Sequence, residues 1–177
     1  MTYLKYIIPA VLILLTIVGY QVYRRGIYTF LGNFNLERVD ALEAEKLLST
    51  NLYTILDVRD ENEYEVSHIN GALRYEEHLL ENLDPNKPLL VYCTVGVRSN
   101  RLAKSLADLG FKKIIELKDG LIGWSNAQLP MVNSSNDTTD SIHVYNQYFS
   151  TFLKKGTPVY WYEIWLTHHF CKKPNTW

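Results

Sequence analysis

The sequence predicts an α/β protein, a parallel sheet flanked by helices on both faces, with one N-terminal transmembrane helix ahead of it. Three observations lead there. Short strand-like runs at Tyr53–Val58, Leu89–Tyr92 and Lys112–Leu117, the first two mostly apolar and the third built on Ile114, Ile115 and Leu117, alternate with stretches of helical periodicity, and apolar runs of this kind are how strands buried on both faces read. The stretch LLVYCTVGVRSNR at 89–101 passes from an apolar strand into a small, basic loop that opens a helix. Ile7–Val18 (IIPAVLILLTIV) carries no charge.

Taken in order, the segment from Tyr6 to Tyr23 would measure roughly 27 Å as a helix at about 1.5 Å per residue, near the ~30 Å of a bilayer core. Lys5 precedes it, Arg24 and Arg25 follow, and Tyr3, Tyr6, Tyr20 and Tyr23 stand at its ends, where aromatic rings favour the interface. No small-x-small cleavage site follows the apolar core. Residues 1–25 are therefore expected to be an uncleaved single-pass anchor in contact with the membrane through residues 6–23. The weak excess of positive charge behind it places the soluble domain on the cytoplasmic side.

Residues 34–132 read as one domain. Asp40-Ala41-Leu42-Glu43 is a capping pattern that opens a helix running to about Ser49. The strand Tyr53–Val58 delivers Asp57 at its end, and Asp60-Glu61-Asn62-Glu63 starts a short helix that stops before His68-Ile69-Asn70-Gly71-Ala72. Leu79, Leu80 and Leu83 suggest a helical turn ahead of Pro85 and Pro88. After the strand Leu89–Tyr92, a helix from Ser99 to Leu109 presents Leu102, Ala103, Leu106 and Ala107 at helical spacing, with Gly110 as its stop. A strand at Lys112–Leu117, a turn at Asp119-Gly120 and a helix from Leu121 to Gln128 complete the domain. The polar run NSSNDTTDS at 133–141 reads as a linker. Residues 142–177 form an extension crowded with aromatic side chains, a candidate surface for a protein partner, for the domain itself or for the membrane interface.

Composition excludes several classes of function. Hydrophobic residues make up 47%, enough for a core, and the net charge of -1 with no basic, aromatic-interleaved cluster speaks against nucleic acid. The two cysteines, Cys93 and Cys171, build no disulfide framework. His168, His169 and Cys171 form no metal site, because adjacent histidines do not readily face one ion and a fourth ligand is missing. Cys171 reads as an inert tail thiol rather than a partner for Cys93. Asn133-Ser134-Ser135 and Asn136-Asp137-Thr138 match the glycosylation acceptor pattern, a chance match in so polar a run.

Cys93 is the candidate nucleophile. A loop leaving a strand and entering a helix turns successive N–H groups inward, and the helix head adds a positive field that favours an anion. A cysteine in such a loop ionises more readily than a free one. Gly96 allows backbone conformations closed to other residues, Arg98 contributes a permanent charge and Ser99 a hydroxyl at the helix start.

ILDVRDENEYEVSHINGAL at 55–73, LLVYCTVGVRSNRLAKSLADLGF at 89–111 and IIELKDGLIGW at 114–124, in that order, resemble a single-domain rhodanese, a sulfurtransferase, over residues 36–131. The resemblance implies a double displacement: Cys93 takes the outer sulfur of thiosulfate or another persulfide donor and passes it to a thiol or cyanide. It implies a substrate cradle of Thr94, Val95, Gly96, Val97, Arg98 and Ser99, with Asp57 and Arg59 supporting the loop, His68 in a structural turn, and no metal or organic cofactor. Phosphatases and arsenate reductases of the same fold resemble a Cys-x5-Arg pattern, whereas Cys93 and Arg98 enclose four residues, a ring better suited to one sulfur atom. Two departures stand out: Thr94 and Val95 are neutral where efficient thiosulfate users often carry basic residues, and Asp119 replaces a common glycine. The alternative from another class is a non-catalytic rhodanese-like module that recruits a protein.

Overall fold

The computed structural model describes residues 3–25 and 36–162, and the chain divides into two compact units, Met1–Gly32 and Asn33–Trp177. The first contains helix α1 (Leu4–Arg25). Among the described residues no helix is long and apolar enough to cross a membrane. This overturns the single-pass anchor, the membrane contact through residues 6–23 and the cytoplasmic placement that followed from them. The uncharged, mainly apolar part of α1 is only Ile7–Val18, with Pro9 and Thr16 inside it. At about 1.5 Å per residue it covers roughly 18 Å of a ~30 Å core. The longer span from Tyr6 to Tyr23 reaches bilayer length only by including Gly19, Tyr20, Gln21 and Tyr23.

The second unit holds a five-stranded sheet in the order β1-β5-β4-β2-β3: β1 (Glu37–Val39), β2 (Thr54–Asp57), β3 (Leu73–Arg74), β4 (Leu89–Tyr92) and β5 (Ile114–Leu117). Every pairing is parallel, with Asp57 in register with Tyr92 and Val91 with Glu116. All four residues of β4 and of β5 are buried, as strands covered on both faces must be. Helices α2 (Ala41–Leu48), α3 (Glu61–Val66), α4 (Val97–Asp108) and α5 (Gly120–Asn126) connect and cover them. Asp40 caps α2 by accepting the Glu43 N–H at 2.9 Å. One core cluster joins Leu56, Leu89 and Val91 of the sheet to Ala103 and Leu106 of α4 and to Phe111, with Leu79 and Leu80 of a 3-10 turn and Leu83 just after it packed against it.

The topology positions a site. From β2 the chain moves outward to β3, and from β4 outward to β5 on the opposite side. The switch therefore falls between β2 and β4, whose carboxyl ends carry Asp57 and Cys93, and ligands of open α/β sheets bind outside such a switch.

The run at 133–141 is folded. Strands β6 (Met131–Val132) and β7 (Thr138–Thr139) pair antiparallel, and between them Asn133 Oδ1 accepts the N–H groups of Ser135 and Asp137 at 2.9 and 3.0 Å. Polar side chains here close a hairpin turn by bonding the local backbone. The chain continues through β8 (Ser141–His143), α6 (Gln147–Ser150) and β9 (Thr157–Val159), with β8 and β9 parallel. Ile142, His143 and Val144 are fully buried, and β8 packs on α3 and α5. The described part of the extension thus covers the domain. Cys171, His168, His169 and the remaining tail aromatics lie outside the described residues.

Candidate functional site

Cys93 follows β4 directly, in a loop tied down from beneath. The Leu121 and Ile122 N–H groups of α5 donate to the carbonyls of Cys93 and Thr94 at 2.8 and 3.1 Å. Gly120 makes this possible, since a Cβ there would stand 2.2 Å from the Cys93 carbonyl oxygen. Gly96, at φ 99°, turns the loop into α4 in a conformation that favours glycine. Its N–H donates to Cys93 Sγ at 3.1 Å, and Ser99 Oγ lies 3.7 Å from the same sulfur. Cys93 itself is 1% exposed. Its surroundings are polar all the same: Thr94, Ser99, Asn100 and Glu116 are buried beside it in the loop, in α4 and on β5. At the head of α4 the first N–H groups have no intrahelical acceptor.

Two carboxylates hold this loop, and sequence reasoning assigned neither to the site. Glu116 on β5 accepts from Ser99 Oγ at 2.8 Å, Asn100 Nδ2 at 3.2 Å and Arg38 Nε at 2.8 Å. Glu63 on α3 accepts from Arg98 Nη1 and Nη2 at 2.6 and 2.8 Å and from Thr94 Oγ1 at 3.0 Å. Burial opposes the charge of Glu63, but hydrogen bonds from His143 and Arg98 hold its carboxyl well below the usual range. Burial likewise works against Arg98, and its pairing with Glu63 carries its pKa above the ordinary value. A signal for Glu116 was present, since a glutamate inside the buried run IIEL needs partners. Glu63 looked like a helix-capping residue, which it also is: the Asp60 N–H donates to its Oε2 at 3.1 Å.

Asp57 and Arg59 stand behind the loop. Asp57 accepts the Arg59 backbone N–H at 3.0 Å, its Nε at 2.9 Å and its Nη2 at 2.6 Å, and Arg59 Nη2 also donates to the Ser67 carbonyl. Desolvation opposes the Arg59 charge, yet Asp57 raises its pKa above the ordinary value. The Arg59 guanidinium lies 5.8 Å from the ring centroid of Tyr92, whose buried hydroxyl accepts the Ile69 N–H at 3.1 Å. His68 stacks on Tyr64 at 3.8 Å and bonds Val132 through its backbone, in a turn apart from the thiol. Val95 is buried, and Val97 begins α4. A cleft lined by Leu48, Tyr53, Asn70, Trp124 and Pro130 includes no residue of the Cys93 loop.

A parallel sheet with a cysteine at its switch point, a six-residue loop and a helix head has relatives. The rhodanese-like domain family matches residues 40–127. A thiosulfate sulfurtransferase GlpE of Coxiella burnetii is 36% identical over 92 residues, 50% of this chain and 86% of the relative. The chain belongs to the rhodanese family. Among solved structures, the rhodanese-like domain of an Anabaena protein is similar with a TM-score of 0.51 and 27% identity, over 54% of this rhodanese and 78% of that chain. A polysulfide-sulfur transferase homodimer of Wolinella succinogenes gives a TM-score of 0.50 and 29% identity, over 56% and 80%. The family match ends at residue 127, before the hairpin and extension that this rhodanese folds over its loop.

Proposed function

We propose that this rhodanese moves sulfane sulfur through a persulfide on Cys93. At family level it is a sulfurtransferase-like enzyme acting on a sulfur donor and a thiol acceptor. The observation that carries the assignment to Cys93 is the Gly96 N–H donating to its sulfur at 3.1 Å at the head of α4, a contact that stabilises negative charge on sulfur. In the first half-reaction the Cys93 thiolate attacks the outer sulfur of thiosulfate or another sulfane donor. The donor S–S bond breaks, and sulfite or a thiolate leaves with the electron pair. In the second, an acceptor thiolate attacks the outer sulfur of Cys93–S–S⁻, forming its own persulfide and returning the Cys93 thiolate. No net oxidant is required. With Cys93 1% exposed, the loop must open enough to admit one sulfur atom.

That same burial, and the engagement of Arg98 by Glu63, are what favour the second reading, a rhodanese-like module that binds a protein and transfers nothing. One experiment separates the two. Intact mass after exposure to thiosulfate or polysulfide is expected to rise by one sulfur, reversibly with a thiol, and not to rise in Cys93→Ser. A wild-type chain that takes up no sulfur from any donor would leave the binding module standing.

A further inference from the structure

The extension beyond the family match reaches the Cys93 loop. Strand β8 ends at His143, which like the following Val144 is fully buried, and the chain then turns through Tyr145 at φ 65°. An aromatic residue is strained in that left-handed region, and such strain persists only where the surroundings over-determine it. The surroundings do so here. β8 is paired to β9, and Asn126 Nδ2 donates to the Phe152 carbonyl while its Oδ1 accepts the Lys154 N–H at 2.6 Å. Ser125 Oγ donates to the Lys155 carbonyl at 2.7 Å.

The two residues thus held each touch one member of the pair beside Cys93. The Tyr145 ring centroid is 5.5 Å from the Arg98 guanidinium carbon, while Glu63 grips the guanidinium through two hydrogen bonds. His143 Nδ1 lies 3.5 Å from Glu63 Oε1 and 3.3 Å from the Tyr145 backbone nitrogen. From this juxtaposition we infer that Tyr145 is a positioning residue for Arg98: the strained turn after β8 sets its ring against the guanidinium. A segment outside the family domain thereby fixes the positive charge beside the loop and tunes the preference for anionic over neutral sulfur donors. The inference rests on the sulfurtransferase reading for its consequence, though not for its test.

The test uses the full chain with Tyr145→Gly, which removes the ring and suits the positive φ, and with Tyr145→Phe, which keeps the ring face. Rates of Cys93 alkylation by anionic iodoacetate and neutral iodoacetamide are followed on the Cys93 peptide. Their ratio reports local charge, because accessibility cancels between reagents of similar size. Tyr145→Gly is expected to lower the ratio about two- to fivefold, the size of one exposed cation–π contact, without lowering the melting temperature. It should raise the thiosulfate KM by a similar factor at unchanged kcat. Tyr145→Phe should match wild type. An unchanged ratio in Tyr145→Gly, or an equal fall in Tyr145→Phe, overturns the inference. If Tyr145→Gly does not fold, Tyr145→Asn, which also tolerates the conformation, supplies the ratio. A chain that loads no sulfur sinks the sulfurtransferase reading alone, since alkylation needs no sulfur transfer.

Discussion

Two arginine–carboxylate pairs stand at the carboxyl edge of the sheet, made of the same groups in opposite settings. Asp57 and Arg59 are two residues apart, and neither side chain has exposed surface. Their mutual bonds close at the end of β2, and Arg59 goes on to the Ser67 carbonyl and the Tyr92 ring. Glu63 and Arg98 come from different helices; the carboxylate is buried, but the guanidinium is 28% exposed. The first pair braces the buried edge from the end of β2 to Tyr92 of β4 and to Ser67. The second ties the Cys93 loop to α3 and remains open to the extension. Burial thus separates scaffold from site where residue type does not.

Breaking each pair makes the contrast measurable. Asp57→Ala leaves a buried guanidinium unpaired, which typically costs about 3–5 kcal/mol, a large share of the ~5–15 kcal/mol that holds a domain together. A urea melt should show a midpoint far below wild type. Asp57→Leu with Arg59→Met, which removes both charges, should recover most of the loss. Recovery would show that the pair's role is compensation rather than recognition, and its failure would move the pair into the site.

Glu63→Gln should cost less, about 2 kcal/mol, because Arg98 can turn to water. It should also leave a signature in acid. The folded Glu63 carboxyl titrates below its unfolded value of about 4.3, so its contribution is complete above that pH and is lost as pH falls towards the folded pKa. Wild type should lose stability through that window and Glu63→Gln should lose less, as read from urea midpoints at pH 6 and pH 3. A parallel loss in both chains would show that the pair contributes no linkage.

The legible parts of the fold were those where local pattern and tertiary role agree. Leu89–Tyr92 and Ile114–Leu117 read as buried strands because they are buried on both faces, and Asp40 read as a cap because it caps. β1 leaves no mark in the sequence, since three residues with two exposed carry no periodicity. The N-terminal segment misled because aromatic and polar ends lengthened a short apolar core on paper. At the site, Cys93, Gly96, Arg98 and Ser99 share one loop and one signal. Their partners Glu63, Glu116, His143 and Tyr145 come from other elements, and their roles exist only once β5, α3 and β8 have converged. The run NSSNDTTDS reads identically as linker or hairpin, because the same Asn and Asp side chains serve both.

The smallest expected effect concerns the departure from family pattern at Asp119. This residue caps α5 at φ 60° with no side-chain capping bond, directly before the Gly120 that packs on the Cys93 carbonyl. Left-handed geometry costs an ordinary residue roughly 1–2 kcal/mol, and aspartate less. Against this relief, Asp119→Gly adds about 0.5–1 kcal/mol of chain entropy and forfeits a charge–dipole interaction of about 0.3–1 kcal/mol at the helix head. The opposing effects nearly cancel, so the melting temperature should move by no more than about 2–4 °C. Charge does not cancel: losing a carboxylate beside the thiol loop should lower the KM for thiosulfate relative to a neutral sulfane donor. Equal changes for both donors would place Asp119 with the scaffold pair, and a change confined to the anion would place it with Arg98.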